Sequence, residues 1–136
     1  MMVSRPTRIY FENLVGSLLE HPDGYAIVQY NAGKRILTDL QAFLTHASQL
    51  LRTRSWNKIL ADQSAMAPFT EEESTWIKQY WLARSEQPIF GAIVLPEDVF
   101  ARLSVNNLVS EAESAALTYR VFDNTIDAAA WLHTQS

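Results

Sequence analysis

Seven consecutive residues, Ile89-Phe90-Gly91-Ala92-Ile93-Val94-Leu95, lie between Pro88 and Pro96 without one polar side chain among them. A strand with one wet face alternates apolar and polar residues. This run does not alternate, so both of its faces need a cover. Such strands belong to the interior of parallel sheets, where helices lie on the two sides. The rest of the chain must therefore supply neighbouring strands and covering helices.

It does so in alternation. Residues 14–19 are mixed apolar, Pro22-Asp23-Gly24 has turn chemistry, and Tyr25-Ala26-Ile27-Val28-Gln29-Tyr30 is rich in β-branched and aromatic residues. This pattern predicts an antiparallel hairpin. Asn31-Ala32-Gly33-Lys34 forms a second turn. Leu40, Phe43, Leu44, Ala47 and Leu50 then recur at helical spacing, with Thr38 and Gln41 placed as a capping box and Arg52 and Arg54 near the end. Residues 56–62 read as a short buried strand ending on Asp62, followed by a loop over 63–69.

Thr70 opens a second helix with Glu73 three residues on, a strong capping signal. Trp76, Ile77, Tyr80 and Trp81 make its apolar face. Pro96 suits a first helical position, and Val99, Phe100 and Leu103 continue a helical face. Residues 117–122 read as a last strand, and Asn124 or Thr125 caps a last helix whose face holds Ala128, Trp131 and Leu132. The order is β-β-α-β-α-β-α-β-α. It predicts an α/β fold, with a mixed, mostly parallel sheet, an N-terminal antiparallel hairpin, right-handed crossovers and four helices. At 136 residues there is room for one domain, expected over 9–136, with residues 1–8 a flexible tail.

The chemistry of the chain narrows its partners. A net charge of −4 disfavours nucleic acid and anionic membrane surfaces. No apolar run reaches the 18 residues or so of a membrane span, and residues 1–8 lack the apolar core of a signal peptide, so a cytoplasmic setting is expected. With no cysteine, disulfides and thiolate chemistry are excluded. His21, His46 and His133 have no metal-site spacing, and read as solvated or structural; neither metal nor cofactor is expected. The four glycines are scattered, so no phosphate-binding loop and no Gly-x-Ser-x-Gly elbow exists.

Two groups remain as candidate sites. Asp62, Ser64 and Thr70 lie in or beside the loop that follows a parallel strand, at the edge where open α/β sheets take ligands. They suit a polar ligand, a phosphate acceptor or a plain turn. Acid–base work by Asp62 with Ser64 or a histidine lacks a second placed group. Trp76, Tyr80 and Trp81 suit the core, a homodimer face or an apolar ligand pocket. Glu71-Glu72-Glu73 suits the positive end of a helix, an acidic docking patch or a hard-cation site.

The runs Gly16-Ser17-Leu18-Leu19, Tyr25-Ala26-Ile27-Val28, Lys58-Ile59-Leu60-Ala61-Asp62, Arg120-Val121-Phe122-Asp123 and Ala128-Ala129-Ala130-Trp131-Leu132 resemble small bacterial proteins of the SpoIIAA-like (STAS) fold, which some classifications group with CRAL-TRIO-type lipid-binding domains. Antagonists of that family carry a phosphorylatable serine after the central strand. The matching place here reads Asp62-Gln63-Ser64-Ala65, without the family's glycine and with Met66-Ala67-Pro68-Phe69 before Thr70. The resemblance implies a non-catalytic regulatory or scaffold domain that binds another protein as a homodimer. The alternative expectation is a carrier or sensor of a small apolar ligand, suggested by four Trp, five Tyr and six Phe in so short a chain.

Overall fold

The computed structural model describes residues 7–81, 88–112 and 117–135. Its strands are β1 (Arg8–Glu12), β2 (Gly16–His21), β3 (Tyr25–Tyr30), β4 (Lys58–Asp62), β5 (Ile89–Val94) and β6 (Leu117–Phe122). Its helices are α1 (Leu37–Arg54), α2 (Glu71–Trp76), which runs on as a π-helical turn Ile77–Trp81, α3 (Val99–Ala112) and α4 (Thr125–Thr134). The six strands lie side by side in chain order. β1, β2 and β3 pair antiparallel, and β3 to β6 pair parallel. This is the expected α/β architecture, with β1 added to the hairpin. Residues 1–6 of the expected tail lie outside the described residues, and Arg8 already pairs with Glu20.

Handedness decides where the helices go. The parallel strands advance in one direction, so right-handed crossovers bring α1, α2 and α3 to the same face. There Leu40, Phe43, Ala47 and Leu50 of α1 join Val28, Ile59 and Ile93 of the sheet in the larger core. α4 follows the last strand and covers the other face, where Ala128 and Leu132 meet Tyr25, Leu60, Ala92 and Val94. β5 feeds both cores, as its uninterrupted apolar run requires.

The helix ends depart from expectation in three places. α1 begins at Leu37 with Ile36 as N-cap and no side-chain cap, so Thr38 lies inside the first turn and its capping box with Gln41 does not form. Pro96 precedes α3 rather than starting it; Asp98 Oδ2 instead accepts from the Ala101 amide at 2.9 Å. Val99, Phe100 and Leu103 face outward, 67%, 74% and 55% exposed, while Ala101, Val105 and Leu108 face the sheet. Two other ends follow the sequence closely. Asn124 caps α4 through the Asp127 amide, and Thr70 and Glu73 form both bonds of a capping box.

Candidate functional site

Register determines what looks into the helix-covered side. Val28 lies beside Ala61, Ala61 beside Ile93, and Ile59 beside Gly91, which lies beside Tyr119. Ala61 and Gly91 supply little volume there. A Cβ on Gly91 would come within 2.4 Å of the Tyr119 ring, so this glycine is what lets the ring lie over β5. The helices above cannot close down completely on a floor this low. A cavity of about 70 Å³ results, with Leu44, Ile77, Trp81, Val105 and Leu108 on its helical side.

Three polar side chains line it as well: Tyr30, Gln63 and Tyr119. Gln63 directly follows β4. Its amide bonds the Val94 carbonyl and its carbonyl receives the Met66 amide, each at 3.0 Å. The ladder thus continues one residue past Asp62, and period-two alternation puts Gln63 on the same side as Ile59 and Ala61. Gln63 is 93% buried, and Oε1 has no hydrogen-bond partner among the described residues. Burial pushes the Tyr30 phenol far above its ordinary value, and the neighbouring Gln63 side chain offsets this only slightly. Tyr30 is therefore neutral at any physiological pH. Trp81 Nε1 donates to the Tyr119 hydroxyl at 2.6 Å. Among the described residues, no Asp, Glu, Lys, Arg or His side chain lines it.

One wall is held by a buried ion pair. Arg35 donates from Nε and Nη2 to the two Glu73 carboxylate oxygens at 2.9 Å each, and both side chains are 3% exposed. The same guanidinium donates to the Ala67 and Pro68 carbonyls at 3.1 and 3.0 Å and stands 5.2 Å from the Phe69 ring centroid. Phe69 lines the cavity and meets Tyr30 edge-on. Burial pushes the Glu73 carboxyl up, but the Arg35 bonds and the Thr70 backbone bond together outweigh it and hold the group below the usual carboxylate range. Of the three consecutive acids, only Glu71 and Glu72 form an exposed first turn.

The expected site residues separate. Trp81 is part of the cavity wall, whereas Trp76 and Tyr80 stack on each other outside, at 5.5 Å, with Tyr80 65% exposed. Asp62 and Ser64 do come together: Asp62 Oδ1 accepts from the Ser64 hydroxyl at 2.7 Å and its amide at 3.1 Å. Both are turned away from the cavity. Thr70 is taken up by its cap, and Ser64 lies well before that cap rather than on it. His46 bonds the Ala42 carbonyl and stacks on Phe11, and His21 stacks on Tyr25. His133 stands 3.3 Å from the Asp23 carboxylate. Among the described residues, no cluster of three or more His, Asp or Glu is placed to hold a metal ion, and no helix is long and apolar enough to cross a membrane.

Sequence reasoning passed over Gln63 and Arg35. The alternation Ile59, Ala61, Gln63 was a signal for the first. For Arg35 there was none, since its partner lies 38 residues away. No family model, curated protein or solved structure matches this chain.

Proposed function

We propose that this protein is a non-catalytic carrier or sensor of a small, mostly apolar molecule held between the sheet and the α1–α3 layer. The observation behind this reading is Gln63 Oε1, a buried acceptor without a protein partner on the wall of an apolar cavity. Buried acceptors are satisfied in nearly all proteins, and an apolar cavity with a few convergent polar groups is the usual form of a small-molecule site. The expected cytoplasmic setting and the resemblance to SpoIIAA-like domains are compatible with this role. The Trp81 indole N–H is a ready reporter, because it sits in the cavity wall. Xenon or small apolar solutes are expected to shift its NMR resonance selectively. A resonance that stays fixed while solvent-exposed Tyr80 responds would sink the reading.

A second reading, a regulatory domain that pairs with a second copy of itself, is supported by Val99, Phe100 and Leu103 on the outer side of α3. Sedimentation equilibrium is expected to show a dimer that Phe100→Glu dissociates. A monomer at all concentrations would remove this reading.

A further inference from the structure

The chemistry of the cavity lining also limits what can bind there, and the inference that follows rests on the reading of the cavity as a ligand site. Among the described residues every lining side chain is neutral, so a charged ligand would lose its hydration there without meeting an opposite charge. A pure hydrocarbon would fill the apolar part but leave Gln63 Oε1 unpaired. Gln63 Oε1 is an amide oxygen, which can only accept, so it calls for a donor. The Tyr30 hydroxyl keeps its proton and lines the same cavity, so an acceptor beside the ligand's donor is also useful. Size is bounded as well. A volume of about 70 Å³ is roughly half the 150 Å³ or so that holds a benzene ring, which leaves space for roughly two to four non-hydrogen atoms.

We infer that the ligand is a small neutral alcohol of roughly two to four non-hydrogen atoms, whose hydroxyl donates to Gln63 Oε1. A hydroxyl is the smallest group that donates and accepts at one atom. The remaining carbon atoms lie against Leu44, Ile77, Ile93 and Leu108.

The test uses the whole chain and probes of one size: propan-2-ol, acetone and 2-methylpropane. Each is titrated while the Trp81 indole N–H is followed by NMR. Wild type is expected to bind propan-2-ol at least about tenfold more tightly than either of the others, the penalty of leaving a buried acceptor unpaired. Gln63→Leu removes the acceptor at similar volume, and is expected to lose that preference and favour 2-methylpropane. Gln63→Met serves the same purpose if the leucine variant folds poorly, and the wild-type ranking needs no variant at all. Binding of 2-methylpropane or acetone as tightly as propan-2-ol overturns the hydroxyl inference but leaves the cavity as a ligand site. If none of the probes, nor xenon, moves the Trp81 resonance, both the inference and the reading beneath it fall.

Discussion

On one side of the sheet three helices meet a floor lowered by Ala61 and Gly91, and a cavity persists there. On the other side a single helix, α4, is closely packed, with Ala128 and Leu132 fully buried against Leu60, Ala92 and Val94. The contrast is one of volume rather than hydropathy, because both sides are apolar. Small residues let α4 approach the sheet. On the opposite face the helices are also tied to loops and to one another, and cannot follow. The buried ion pair belongs to the cavity side as well, where Arg35 ties the loop after β4 to the start of α1. The buried ion pair and the apolar cavity thus lie on one face, while the other carries Tyr25 in its core and an open recess beside α4.

This contrast can be broken in three ways. The largest effect is expected from Arg35→Ala. It strands the Glu73 carboxylate in the interior and should cost about 3–5 kcal/mol in urea denaturation. The double variant Arg35→Met, Glu73→Leu should recover most of that loss, since apolar replacement of a buried pair is often neutral. A single variant as stable as wild type would mean that the pair is not a structural clasp.

The second experiment compares the two faces directly. Ala128→Val adds volume beneath α4, where no room is left, and should lose about 1–3 kcal/mol. Ala61→Val adds the same volume on the cavity floor, and should stay within about 1 kcal/mol of wild type while weakening propan-2-ol binding. Equal losses at the two sites in thermal or urea unfolding would erase the distinction between the faces.

The smallest effect is electrostatic. The folded Glu73 carboxyl is held below its ordinary value of 4.5, so the folded state binds this proton less readily than the unfolded chain. Its contribution is fully present above about pH 4.5 and is lost as pH falls through the folded value. Stability should therefore decline on the acid side of about 4.5, and Glu73→Gln should flatten that part of the profile whatever its effect on the overall level. An unchanged acid slope in the variant would assign the decline to other carboxylates.

Legibility in the sequence followed the range of the interactions. The apolar run of β5, the turn at Pro22-Asp23-Gly24 and the Thr70–Glu73 capping box are local, and all of them were readable. Thr38 lies inside α1 because the chain enters the helix two residues sooner than its capping chemistry suggests, with Ile36 as the cap. The α3 face was misjudged because Val99, Phe100 and Leu103 satisfy helical spacing just as Ala101, Val105 and Leu108 do, and only packing selects between them. In the loop, Asp62 and Ser64 carry the conspicuous chemistry, but they bond each other at the surface. Gln63 between them is the residue turned inward. The Arg35 clasp depends on two distant segments meeting, and neither segment carries a mark of the other.

The side-by-side order of the strands has a bearing on assembly. Every strand from β2 onward finds a partner in the one laid down just before it. No early strand has to wait, exposed, for a late one, so the sheet can grow as a row from one edge while the chain is still emerging. Only the β1–β2 and β2–β3 closures are short; each parallel pair from β3 onward closes about 30 residues, a step that forms more slowly although closure entropy grows only gently with length. Only when α4 reaches back to β4 and β5 is the second face sealed, and until then Leu60, Ala92 and Val94 are the surface most open to a chaperone.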